Sequence, residues 1–62
     1  MTEMEFETWF AATDLGDLED VRAYVELHAL DNAAGNYDTA KATVEIYMDD
    51  PDSAAIFKGY RA

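Results

Sequence analysis

The chain has 62 residues, with four Lys or Arg against fourteen Asp or Glu, for a formal charge of −10. That length allows one small domain, residues 1–62, burying only about 60% of its unfolded surface; with no Cys, neither a disulfide framework nor a thiolate metal site can brace it. The charge speaks against direct contact with nucleic acid or anionic lipid, which would repel it, and for a partner with a basic surface.

No apolar run approaches the roughly 18 residues that cross a bilayer. The start, Met1-Thr2-Glu3-Met4-Glu5, carries acid where a targeting signal carries base. A cytoplasmic protein without membrane contact is the expectation. The acid is uneven: residues 1–31 hold nine acids and one base, Arg22, whereas residues 32–62 hold five acids and three bases.

In residues 3–11, Met4, Phe6, Thr8 and Phe10 share one parity, and Glu3, Glu5, Glu7 and Trp9 the other. This period of two predicts a half-buried strand. A helix is the rival: Thr2 and Glu5 are spaced as a capping box, and Phe6, Trp9 and Phe10 fit one helix face. Residues 12–16 form a connection. A helix is predicted over 17–31, capped by Asp17, with Glu19 and Asp20 in its first turn where the helix dipole favours acid. Its apolar face takes Leu18, Val21, Val25 and His28, widened by Tyr24, Leu27 and Leu30. The run 32–36 ends it, with Gly35 suited to a left-handed exit.

Residues 39–49 alternate again, with Ala40, Ala42, Val44, Ile46 and Met48 on one parity, and predict a second strand. The helical rival groups Tyr37, Ala40, Val44, Tyr47 and Met48 and leaves Ile46 outside. Asp50-Pro51 then reads as the start of a short helix over 52–58, closed by Gly59. The expected fold class is α+β: a small single domain in β-α-β-α order with a two-stranded sheet. The alternative is an all-α bundle of three or four helices. Because a lone strand pair is marginal in water, a homodimer joining sheet edges would help the α+β form.

No residue pattern names a reaction. His28 is the one histidine and Ser53 the one serine, so neither a catalytic group nor a cofactor is expected. Asp49, Asp50 and Asp52 around Pro51 have oxygen ligands but lack calcium-loop spacing, so helix capping explains them better than a metal. Trp9 and Tyr47, on the outer parity of their strands, could anchor a protein interface, or equally pack under the last helix or across a dimer contact.

On a strand, Glu3, Glu5 and Glu7 would form one row with about 6.5–7 Å between neighbours. With Asp14, Asp17, Glu19, Asp20 and Glu26 they could gather most of the charge on one face. Duplex DNA carries one negative charge per ~1.7 Å of its axis, and such a face would compete with it for Arg- and Lys-lined grooves. In size, acidity and lack of catalytic residues the chain resembles the small acidic DNA-mimic inhibitors of phages and mobile elements, the anti-CRISPR and anti-restriction proteins. That resemblance implies a non-enzymatic inhibitor that blocks DNA binding by a CRISPR effector or restriction enzyme, in the host cytoplasm if phage-encoded. Its partner-binding residues would be those eight acids and Trp9. Two other readings compete: a small dimeric structural or regulatory partner binding through an aromatic surface, and an acidic composition that serves only solubility in a high-salt proteome.

Overall fold

The computed structural model of the chain describes residues 1–50, whose regular elements are all helices, with no strand among them. Helix α1 spans Glu3–Ala12, a 3-10 helix spans Gly16–Val21, α2 spans Arg22–Ala33 and α3 spans Tyr37–Asp49. The α+β expectation is therefore corrected to all-α, and the case for an edge-joined dimer goes with it. The helix expected over 52–58 lies outside the described residues.

Both expected strands are helices, for related reasons. At α1 the capping box forms: the Glu5 N–H donates to Thr2 Oγ1 at 3.1 Å, and the Thr2 N–H donates to Glu5 Oε1 at 2.7 Å. Phe6 and Phe10, one turn apart, are buried together with their rings stacked 5.8 Å apart. The strand parity splits instead: Phe6 is buried while Met4 is 78% exposed. At α3 the Asn36 side chain accepts from the Asp38 and Thr39 N–H groups at 3.0 and 3.2 Å, capping the helix start. Ala40 and Val44 are buried, and Ile46 is 60% exposed, as the helical rival requires. Thr43, a β-branched residue inside the helix, returns its hydroxyl proton to the Thr39 carbonyl at 2.9 Å. A few tenths of a kcal/mol of unfavourable propensity per β-branched residue is outweighed by the apolar area this face buries.

The middle segment is helical as expected but differs at its start. The 3-10 turns follow Leu15, which provides no side-chain cap, so the capping expected of Asp17 is corrected. Asp14 does the local work instead, accepting from the Gly16 N–H at 2.9 Å, and Gly16 takes φ +55 to make the turn. Glu19 and Asp20 sit in the 3-10 helix rather than in the first turn of α2.

Leu15, Leu18 and Val21 join Val25, Ala29 and Ala33 of α2 in the core, with Phe6, Phe10, Ala40 and Val44 from the other helices. Leu27 and Tyr24, expected on the buried face, lie outside it, 65% and 42% exposed. The core stripe of α2 runs through the small residues Ala29 and Ala33, buried in the same cluster as Ala40 of α3. The α2–α3 link is short: Ala34 (φ 52) and Gly35 (φ 92) both take left-handed conformations, and the Asn36 N–H returns to the Ala33 carbonyl at 3.1 Å. The two helices run antiparallel, with Asn32 opposite Thr43 (3.5 Å) and His28 opposite Tyr47 (3.0 Å).

Candidate functional site: an acidic junction

On a helix at 100° per residue, Glu5 lies about 200° from Glu3, whereas Glu7 lies only about 40° from it. The expected single row of Glu3, Glu5 and Glu7 is thus broken. Glu5 belongs to the capping box, and the Thr2 backbone and side-chain hydrogen bonds hold its carboxyl below the usual range. Glu3 and Glu7 share the flank of α1 that faces α2 and α3.

Glu26 of α2 and Tyr37 of α3 meet them there. The Glu7 carboxyl is raised above the usual range, first by hydrogen bonding with Glu26, then by lost water and by the Glu26 charge. The Tyr37 phenol is also raised, first by lost water, then by the charge of Glu3, a hydrogen bond to it and the charge of Glu7. Tyr37 is itself fixed by packing on Phe6, with ring centroids 5.8 Å apart. Negative charge is therefore concentrated where α1, α2 and α3 meet.

The basic side chains among the described residues are placed elsewhere. Arg22 reaches back to the end of α1: its Nη1 donates to the Thr13 carbonyl at 3.0 Å, and its Nη2 donates to the Phe10 carbonyl. Its guanidinium lies 4.6 Å from the centre of the Phe10 ring and pairs with Glu19 at 3.3 Å. Lys41 sits 5.5 Å from the Trp9 ring centre. The N-terminal amine pairs with Asp38 at 3.2 Å.

The remaining expected site residues distribute as follows. Asp14 closes the turn before the 3-10 helix, and Asp17 and Asp20 lie within that helix. Glu19 is engaged by Arg22. Trp9 is half-buried against the core, 5.9 Å from Phe6 between ring centres. Tyr47 is likewise half-buried, its hydroxyl 3.0 Å from His28 Nδ1. Of the nine, the structure brings Glu7 to Glu26, and places Glu3 and Glu7 near Tyr37. Tyr37 and the organising role of Arg22 were not read from the sequence. The Glu3–Glu7 spacing of four was the available signal for the first, but it speaks only once the segment is known to be helical.

No group of His, Cys, Asp or Glu among the described residues is arranged to hold a metal ion. Asp50 is the C-cap of α3, its N–H donating to the Ile46 carbonyl at 3.0 Å; the helix it was expected to start, and Asp52, lie outside the described residues. No described helix is long and apolar enough to cross a membrane. No family model, curated protein or solved structure matches the chain.

Proposed function

We propose that the chain is a non-enzymatic acidic binding protein that presents carboxylates to the basic groove of a nucleic-acid-binding complex, a CRISPR effector or restriction enzyme, and blocks DNA binding. The observation that carries this reading is the junction where Glu7 faces Glu26, its carboxyl raised above the usual range, with Glu3 beside Tyr37. Crowded carboxylates cost stability, and an entering guanidinium or ammonium would reverse that cost. It would convert repulsion into charge-assisted hydrogen bonds and occupy a site that suits a cation rather than an anion. The overall charge of −10 adds steering toward a basic surface. The site of action is the cytoplasm in which such complexes work.

The test is competition. Purified restriction and CRISPR effector complexes holding fluorescent duplex DNA are titrated with the chain in low and moderate salt. DNA is expected to be displaced, less well as salt rises. The triple variant Glu3→Gln, Glu7→Gln, Glu26→Gln keeps its helical circular dichroism and competes about tenfold less well or worse, since charge pairs at an interface are worth kcal/mol each. A triple variant that competes as well as the parent overturns the reading, as does failure to displace DNA from any complex in the panel.

A further inference from the structure

Among the described residues, Ala34 is the one non-glycine residue with a positive φ. Its φ 52 and ψ 42 are left-handed helical, a conformation that a Cβ disfavours. Gly35 follows at φ 92 and Asn36 caps α3, so these three residues reverse the chain between α2 and α3. Ala33 and Ala34 are of the residue type most favourable to a helix interior, so local preference would carry α2 on as far as Gly35. Across this link α2 and α3 pack on each other. Val25, Ala29 and Ala33 share the core with Ala40 and Val44, and His28 meets Tyr47 at 3.0 Å.

We propose that this link is a hinge through which the chain exchanges α3 with a second copy of itself. Ala34 and Gly35 turn right-handed, α2 and α3 run on as one helix over 22–49, about 42 Å long, and each α3 packs on the α2 of the other copy. A short hinge under strain favours exchange, because opening it releases what the tight turn stores. The backbone hydrogen bonds are kept. The Asp38 and Thr39 N–H groups, held in the hairpin by the Asn36 side chain, turn to the Ala34 and Gly35 carbonyls. The contacts between α2 and α3 are the same in both forms and differ only in which copy supplies each side. The two long helices pass each other at 33–35, Ala-Ala-Gly, where small side chains leave room. Tyr37 travels with α3 and packs on Phe6, so the exchanged dimer completes each acidic junction across copies: Glu3, Glu7 and Glu26 come from one chain and Tyr37 from the other. Two chains of charge −10 repel, so the exchanged form gains as salt rises. The inference stands or falls separately from DNA competition.

The full chain is unfolded in urea, refolded in molar salt and followed by analytical ultracentrifugation from micromolar to millimolar concentration. A dimer is expected at the upper end. Two hinge substitutions should move it in opposite directions. Gly35→Ala sets a Cβ on the left-handed φ of the hairpin and favours the continuous helix. That Cβ would meet no atom within 4 Å, so the substitution tests the backbone and not a clash. Ala34→Gly relieves the hairpin and disfavours the continuous helix. With two hinges in each dimer, Gly35→Ala is expected to tighten dimerisation about tenfold or more, and Ala34→Gly to weaken it about tenfold or more. Both should keep helical circular dichroism. The arrangement is read by nuclear magnetic resonance on labelled and unlabelled chains refolded together. The His28 and Tyr47 rings, 5.6 Å apart between centres, should give a nuclear Overhauser contact from one copy to the other. A chain that stays monomeric at millimolar concentration, Gly35→Ala included, overturns the proposal. So does a dimer whose His28–Tyr47 contact remains within one copy, since it pairs through an outer face. A dimer whose strength fails to fall in Ala34→Gly overturns it as well. If Gly35→Ala does not fold, the parent's contact between copies and Ala34→Gly decide the question.

Discussion

Acid is used in opposite ways at two corners of this small molecule. Where α1 turns into the 3-10 helix, carboxylates and carbonyls are answered from within. Arg22 pairs with Glu19, donates to the Thr13 and Phe10 carbonyls and covers the Phe10 ring, while Asp14 accepts from Gly16. Where α1, α2 and α3 meet, Glu7 faces Glu26, and Glu3 faces Tyr37, and the basic side chains among the described residues lie elsewhere. The first corner spends charge on holding the helices together. The second keeps charge unneutralised at a cost in stability. A count of fourteen acids cannot separate these uses; the partners of each acid can.

The largest effect should come from breaking the compensated corner. Arg22→Ala leaves two part-buried carbonyls without their cationic donor and removes the ring contact. The expected loss is about 2 kcal/mol, read from urea unfolding by circular dichroism. Arg22→Lys should recover less than half of it, because a single ammonium cannot reach both carbonyls as the guanidinium fork does. If Arg22→Ala unfolds at the parental midpoint, the corner is not scaffold and the contrast collapses.

A smaller loss, about 1 kcal/mol, is expected for Thr2→Ala, which removes the capping box of α1. It also tests a pH signature. The Glu5 carboxyl is lowered in the folded chain, so the stability it contributes is present above its ordinary value of 4.5 and lost as pH falls through the folded value. In Thr2→Ala that acid-side loss should shrink, and the Glu5 carboxyl carbon should titrate nearer 4.5 by nuclear magnetic resonance.

The smallest effect has the opposite sign. Glu7 is raised in the folded chain, so the folded state binds its proton more firmly than the unfolded one. Its favourable contribution is present below the ordinary value of 4.5 and lost as pH rises through the folded value. Glu7→Gln should therefore raise the melting temperature at pH 7, by less than Thr2→Ala lowers it, and the gain should fade as pH falls toward 4. A glutamine variant less stable than the parent at pH 7 would mean that the junction is a stabilising network and not stored repulsion.

Much of the local structure was legible and still pointed two ways. Thr2 and Glu5 spelled the capping box, and Tyr37, Ala40, Val44 and Tyr47 spelled a helical face, yet both segments also alternate with a period of two. In a stretch of ten or so residues a run of small and aromatic side chains satisfies both periods. The β-branched residues of 39–49 tilt the local preference toward strand. Exposure decides: Met4 and Ile46 share strand parity with buried residues and are themselves largely exposed. The start of α2 was obscured by acids suited to a cap, when the chain uses Asp14 and a 3-10 entry instead. Its left-handed end was expected at Gly35 and is shared with Ala34, which has no sequence signal for it.

The sequence alone determined the size, the absence of cysteine, the concentration of acid in the first half and the presence of a helix through the middle of the chain. These follow from composition and from periodicity within one segment. Tertiary structure decided which acids are partners. The grouping of Glu3, Glu7, Glu26 and Tyr37 joins three helices, and the grip of Arg22 on Phe10 and Thr13 spans a turn. It also decided that Leu27 faces outward, while Ala29 and Ala33 take the buried stripe of α2. Electrostatic neighbours are set by distances across elements, and the same side chains on two strands would have met different partners.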